Sequence, residues 1–332
     1  MTFVIKKIYS KIYVFTHRVA RVIYLRYAPK VILSKDTILI NKDVWKTFDS
    51  KKFSDKYAYY TGSIASLAPE SLNMIVAIVG ANVSMQTYLK SMNRLAWVQT
   101  ASHGANGFDN KDIYASEVKV TTVKDVYAEP ISNFCIASYY TFFSYSYRRI
   151  IRGFRDFTPP PLNKPFEPQY DKPVVTIFGI GNIGVCLARK LKKMGWIVYG
   201  VKRKHTTNLP VDHLFSYEDV DIALATSDYI VNIMPENSDS HGYFNANTFK
   251  KMKSSALFCN VGRGSAVIDD DLEEAVENGV ISGAIMDAAS RSSYKSENII
   301  STNHSSSLDP VNSVRFDSFF TEQLNMFIKQ DI

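Results

Sequence analysis

Cysteine is scarce in this chain: Cys135, Cys186 and Cys259 are the only three in 332 residues, far apart and each in an apolar setting. That spacing excludes a disulfide framework and a cysteine metal site, and reads as buried thiols in a reducing compartment. Long apolar runs are missing too. One long uncharged stretch, Pro130 to Tyr147, is studded with Ser132, Asn133, Ser138, Thr141, Ser144 and Ser146, so no membrane span is expected there. It reads instead as a buried aromatic helix between domains or subunits, entered at Ala128-Glu129-Pro130 with proline in the first turn and an acid near the positive dipole end. Acids are absent before Asp36, whereas Lys6, Lys7, Lys11, Arg18, Arg21, Arg26 and Lys30 break up every apolar run there. A secretory signal core is thereby excluded. An organelle transit peptide and a first strand and helix with a basic outer face both stay open. The chain lacks zinc-ligand spacing and basic heptads, and its net charge of +7 is modest for its length, so nucleic acid is not an expected partner. No repeat of short period is found.

What is present begins with length, which is ample for two domains with sizeable cores. The proline-rich segment from Thr158 to Pro173 is the clearest linker. Before it, apolar runs at Met74–Val79 and Leu95–Val98 alternate with helical stretches, suggesting a smaller α/β unit. After it, Val174 to Phe178 runs into Gly179-Ile180-Gly181-Asn182-Ile183-Gly184, then an amphipathic helix, then a second apolar strand from Trp196 to Val201. Strand, glycine turn, helix and strand is the order a dinucleotide site requires, the plainer alternative being a glycine turn in some other α/β protein. Gly179 permits the tight turn, Gly181 admits a pyrophosphate to backbone N–H groups, and Gly184 lets helix and strand pack closely. An acid for the ribose 2′-OH is expected roughly 20 residues past the glycines. Lys202, Arg203 and Lys204 stand there instead, which favours a 2′-phosphate and hence NADP(H) over NAD(H). A solvated basic turn is the plainer alternative.

Further strands follow at Tyr229–Ile233, Ala256–Val261, Val280–Met286 and Asn298–Ser301. Sheets of this class place ligands at strand ends. Those ends carry Asn260-Val261-Gly262-Arg263-Gly264, then Asp287, then His304. A glycine fingerprint, NVGRG, an aspartate closing a GAxxD strand and a later histidine, in that order, resemble the D-isomer-specific 2-hydroxyacid dehydrogenases. LAWVQTASHGAN (Leu95–Asn106) resembles that family's substrate loop, and VYAEPIS (Val126–Ser132) the helix entry after it. The basic strand end resembles the glyoxylate/hydroxypyruvate reductase branch. The likeness covers roughly residues 95 to 325, leaving the first ninety weakly matched.

The resemblance implies an α/β chain with a Rossmann-type doubly wound parallel sheet, residues 149–305, binding NADP(H). A smaller flavodoxin-like α/β substrate domain would be discontinuous, residues 1–148 with 306–332, including a helix at Asp309–Lys329. It also implies a cytoplasmic homodimer (mitochondrial if the basic N-terminus is a transit peptide) that reduces a 2-oxo acid: glyoxylate, hydroxypyruvate or a larger 2-keto acid. Arg263 would grip the carboxylate and polarise the carbonyl, and His304 would be the general acid, reversing to base for oxidation. Ser102, His103 and Gly104 would hold the substrate carboxylate, with His103 either touching it or only shaping the loop. Met234, Pro235 and Val261 join the cofactor set, and Asp287 would lie near the nicotinamide carboxamide.

Two departures stand out. The family places a carboxylate, sometimes an amide, five residues beyond the strand-closing aspartate, to hold the histidine; here that residue is Ser292. Without the acid, the imidazolium loses its ionic partner and its pKa should fall toward or below about 6.5. Serine could still orient the ring by a hydrogen bond, and Glu297 is the nearest acid in sequence. Asn303 replaces the usual proline before the histidine, for which only a loosened turn is expected. Three readings follow: a 2-oxo acid reductase, a non-catalytic NADP(H)-binding protein, and a more distant Rossmann oxidoreductase of alcohols or sugars, which would leave Arg263 and His304 unexplained.

Overall fold

The computed structural model describes residues 30–102, 104–105, 107–144, 172–203, 207–309 and 311–329. The basic N-terminus, nearly all of the proline-rich linker, His103 and Lys204 lie outside them. The chain divides into two compact units, one running to Lys124 and resuming at Pro310, the other Asp125–Asp309.

In the first unit, β1 (Thr37–Ile40), β2 (Ala58–Tyr60), β3 (Ile75–Ala81), β4 (Trp97–Thr100) and β5 (Lys119–Thr121) form one sheet in the order β2-β1-β3-β4-β5. Every pairing is parallel. This is the flavodoxin-like order. The central strand β3, IVAIVGA, is buried along its whole length, as a parallel strand covered on both faces must be. The linking segments are mostly short 3₁₀ turns such as Pro69–Met74, not the fuller helices expected from sequence. A long helix does come from the far end of the chain, Asn312–Ile328. Its Phe320 and Leu324 are fully buried, Trp45 lies 5.6 Å from Phe320, and Trp97 stacks on Phe327 at 5.0 Å.

Asp317 fastens this helix to the N-terminal part of the unit. Its Oδ1 accepts from Trp45 Nε1 at 2.9 Å and from the Thr47 hydroxyl. These two bonds, Thr47 first, hold its carboxyl below the usual carboxylate range against the opposing effect of burial. A depressed folded pKa stabilises above the unfolded value, near 4, and that contribution is lost as pH falls through the folded one. Asp317→Ala is therefore expected to destabilise this unit by about 1–2 kcal/mol at pH 7, with the deficit shrinking in acid. Urea unfolding at pH 7 and pH 3 measures both; a deficit that stays constant would remove the ionised carboxylate from the account.

In the second unit, β6 (Val174–Phe178), β7 (Ile197–Val201), β8 (His213–Phe215), β9 (Tyr229–Asn232), β10 (Leu257–Asn260), β11 (Gly283–Met286) and β12 (Ile299–Ser301) pair in the order β12-β11-β10-β9-β6-β7-β8. All are parallel, and the winding reverses between β6 and β9. That reversal is where a doubly wound sheet opens a ligand crevice. Side chains alternate across the sheet with period two. Val175, Ile177, Tyr229, Val231, Leu257 and Cys259 enter one core, while Phe178, Ile230, Phe258 and Met286 enter the other.

The first of these cores is closed by α1 (Ala128–Phe143) and α2 (Asn182–Lys193). Tyr229 Oη donates to the Cys135 carbonyl at 2.8 Å, Tyr139 meets Trp196 edge-on at 4.6 Å, and Phe142 fills the space a Cβ on Gly283 would need. The nucleotide unit therefore begins at Asp125, not at 149, and its other limit lies at 309 instead of 305. The aromatic helix packs its apolar side into this unit's own sheet. Cys135 and Cys259 are fully buried, but Cys186 is only half-buried, its Sγ 3.3 Å from Ser132 Oγ. The opposite core packs α3 (Val220–Thr226) and α4 (Asp269–Glu277). No helix among the described residues is long and apolar enough to cross a membrane, and among them no group of three or more His, Cys, Asp or Glu could hold a metal.

Candidate active site

The glycine turn joins β6 to α2 with little room for substitution. Gly179 has φ +99°, and a Cβ there would lie 3.0 Å from the Ile233 carbonyl. A Cβ on Gly184 would come within 2.3 Å of the Gly179 oxygen. Gly181 differs: it enters the helix from an extended conformation, and no atom lies within 4 Å of where its Cβ would be. No side chain caps the helix there, and Asn182 and Ile183 are its first two residues. Their N–H groups have no acceptor within the helix and stand at its positive end, a setting suited to a pyrophosphate. Ile183 turns its side chain into the core, so only its backbone is available to a ligand.

From this turn a cleft of about 570 Å³ extends between strand ends. Gly179, Gly181, Lys202, Arg203, Met234 and Pro235 all line it, bringing six of the proposed cofactor residues together. Lys202 directly follows β7 and its N–H donates to the Phe215 carbonyl at 3.2 Å. Arg203 reaches across to Asp239, Nη1 to Oδ2 at 2.7 Å. Ile180 and Val201 also line it, as do Tyr217, Asn237 and Asp239, which were not anticipated from sequence. Gly184→Val is expected to force helix and strand apart, cost about 2–3 kcal/mol and abolish dinucleotide binding. Nucleotide titration and urea unfolding of the variant test this, and unchanged affinity would show that the close approach is dispensable.

Beyond the cleft, the ends of β9, β10 and β11 are tied together by two buried asparagines. Asn232 and Asn260 face each other in register, and Asn232 Nδ2 donates to Asn260 Oδ1 at 2.9 Å. The same Oδ1 accepts from Gly262 N at 3.1 Å, while Asn260 Nδ2 donates to the carbonyls of Arg263 at 3.0 Å and Ala288 at 2.7 Å. Both glycines around Arg263 sit against neighbouring chain: a Cβ on Gly262 would lie 2.8 Å from the Met234 carbonyl, and one on Gly264 2.7 Å from Ser290 Oγ. The NVGRG loop is thus fixed at every residue but one. Arg263 is half-buried, its guanidinium donates only to the Gly262 carbonyl at 2.7 Å, and it forms no ion pair among the described residues. Val261 is buried in the core beneath, so it supports this loop without facing the cleft.

Asp287 is also buried. Its Oδ1 accepts from Thr302 Oγ1 at 2.6 Å, Ser305 N at 2.7 Å and Ser306 N at 2.9 Å, and its carbonyl accepts from His304 N at 2.8 Å. The carboxylate therefore braces the turn that presents His304. That turn is tightly defined, not loosened: Asn303 and His304 have φ of +53° and +58°, values proline cannot adopt. The His304 ring is exposed and makes no hydrogen bond or ion pair among the described residues.

Ser292 does not orient it. Ser292 is exposed and makes no hydrogen bond among the described residues. Its neighbours are anchored to α4: Arg291 pairs with Asp270 at 2.5 Å and Glu273 at 3.3 Å, and Tyr294 Oη donates to Asp269 at 2.5 Å. In the first unit, Ser102 and Gly104 form a compact turn just after β4, with Ser102 Oγ donating to the Gly104 carbonyl at 2.7 Å. His103 between them is outside the described residues.

Residues 159–309 match the family model described as D-isomer specific 2-hydroxyacid dehydrogenase, NAD binding domain. A probable 2-ketogluconate reductase of Dictyostelium discoideum is 36% identical over 115 residues, 34% of this chain and 34% of that protein. Glyoxylate/hydroxypyruvate reductase B of Escherichia coli is 27% identical over 242 residues, 68% of this chain and 72% of the relative. Among solved structures, a D-isomer specific 2-hydroxyacid dehydrogenase family protein from Aeromonas salmonicida superposes with a TM-score of 0.74 at 21% identity, covering 90% of this chain and 97% of its own. An NADPH-dependent glyoxylate/hydroxypyruvate reductase from Sinorhizobium meliloti, in complex with NADP and sulfate, gives 0.68 at 21% identity, covering 89% and 96%. At those identities the structures speak to the fold alone. The family match covers residues 159–309, and over that segment the chain is similar to the D-isomer-specific 2-hydroxyacid dehydrogenases.

Proposed function

We propose that the protein is an NADP(H)-dependent reductase that converts a 2-oxo acid, either glyoxylate, hydroxypyruvate or a larger 2-keto acid, to the D-2-hydroxy acid. The observation that carries this reading is that Arg263, with no ion pair among the described residues, and the exposed imidazole of His304 stand on the turns after β10 and β12, on either side of the end of β11, both otherwise rigidly braced. The cleft fits a dinucleotide: the Gly181 side is open, the α2 N-terminus is uncapped, and Lys202 and Arg203 line the far end.

When bound, the nicotinamide supplies the hydride. The chain supplies the rest. Arg263 holds the substrate carboxylate and the neighbouring carbonyl oxygen with its planar fork, drawing electron density from C2. His304 donates a proton to that oxygen as negative charge develops on it, and removes the proton in the reverse direction. Asp287 and Asn260 act through the backbone, keeping the two turns at a fixed spacing.

NADPH oxidation followed by absorbance, with glyoxylate and hydroxypyruvate and then bulkier 2-keto acids, tests the proposal. Turnover is expected with at least one of them. A second reading, binding of NADP(H) without turnover, draws on the absence of a side-chain partner for His304 among the described residues; tight NADPH binding with no oxidation by any 2-keto acid would select it. The same proposal includes a cytoplasmic homodimer, and sedimentation of the purified chain measures the oligomeric state.

A further inference from the structure

The acid that dinucleotide sites carry at the end of the second strand is missing at Lys202, yet a carboxylate stands in the same cleft. Asp239 arrives from the loop after β9, and its Oδ2 lies 2.7 Å from Arg203 Nη1. We propose that Asp239 sets the choice between phosphorylated and unphosphorylated dinucleotide, by competing with a 2′-phosphate for Arg203 and by offering its own carboxylate to a free 2′-hydroxyl. This inference rests on the dinucleotide reading of the cleft.

The loop is built to present this side chain. Asn237 Oδ1 accepts from Asp239 N at 3.0 Å and Ser240 N at 3.1 Å, and the buried Ser240 hydroxyl accepts from Asn237 N at 2.9 Å and donates to the Pro235 carbonyl at 2.8 Å. The backbone at 239 is thus fixed while its carboxylate stays 55% exposed, against 59% for Arg203. An ion pair this exposed is weak, so a ligand dianion can break it. With the pair closed, Arg203 is neutralised and Lys202 is left as the cation facing the ligand. With a 2′-phosphate bound, both cations engage it and Asp239 becomes a repulsive neighbour. With a 2′-hydroxyl bound, Asp239 can keep Arg203 and accept from the sugar. One residue therefore weakens NADPH and assists NADH.

Titration of the full chain with NADPH and with NADH, followed by nicotinamide fluorescence, tests this. Asp239→Asn is expected to tighten NADPH by about three- to tenfold while leaving NADH unchanged or weaker. Arg203→Gln should weaken NADPH by about tenfold, and in that background Asp239→Asn should change the ratio by less than in the unmodified chain, because only the competition for Arg203 has gone. Equal shifts for both dinucleotides, or none, overturn the role of Asp239 and leave the dinucleotide site standing. Failure of the unmodified chain to bind either dinucleotide overturns the site itself. Both side chains are exposed, so these variants keep the fold, and Asp239→Ser provides an independent removal of the charge with the same expected direction.

Discussion

Arg263→Gln is expected to lower kcat/KM for 2-oxo acid reduction by about a thousandfold without lowering the unfolding midpoint. Among the described residues the guanidinium donates to the carbonyl of the residue before it and forms no ion pair, so its removal costs the fold that one part-buried hydrogen bond. Its value to the fold is small. Its value to a substrate is large, because a carboxylate and the developing charge on the adjacent oxygen both need a fixed cation in the same plane. Glutamine keeps the length and a donor but loses the charge and the fork. NADPH affinity should be unchanged, since Arg263 does not line the dinucleotide cleft. His304→Asn is the companion variant: asparagine tolerates the left-handed backbone at 304 but cannot donate a proton as a general acid, so a loss of about 10² to 10⁴ is expected. Steady-state kinetics beside thermal unfolding separates chemistry from folding. Activity within about tenfold of the unmodified chain in both variants would remove these residues from the mechanism.

Asn260→Ala should damage both fold and activity, by about 3–5 kcal/mol in stability. The amide is fully buried and serves four neighbours: Asn232 Nδ2 and Gly262 N as acceptor, the Arg263 and Ala288 carbonyls as donor. Alanine leaves all of these facing a cavity with no water-exposed alternative. A variant that still folds should bind NADPH, because the glycine turn is untouched, yet turn over poorly because the arginine loop has lost its brace. Urea unfolding gives the first quantity, and kcat at saturating substrate the second. Asn260→Asp separates geometry from shape, since it keeps the acceptor and loses both donors. Loss of stability with normal kcat in the surviving fraction would make Asn260 a purely structural residue.

The strands and the glycine turn were legible because parallel strands buried on both faces announce themselves as short apolar runs, and because Gly179 and Gly184 answer to contacts no other residue fits. The limits of the nucleotide unit were not. An apolar helix such as Ala128–Phe143 shows that it must be buried, but its own sequence does not say against which sheet. The asparagine pair was hidden for a similar reason: at a strand end, Asn232 and Asn260 look like ordinary turn residues until the pairing of β9 with β10 sets them opposite each other. Asp239 is 36 residues from Arg203 and joins the cleft only through the strand order. Ser292 was found by counting, but its isolation from the histidine could not be, because it depends on the anchoring of Arg291 and Tyr294 to α4.

The turn at Asn303 and His304 has a consequence for how this chain can change. Two successive non-glycine residues held left-handed each resist their backbone by about 1 kcal/mol, a penalty that glycine does not carry. Substitution at 304 toward glycine would relieve that strain and delete the imidazole in one step. Stability and proton transfer thus pull in opposite directions on a single codon.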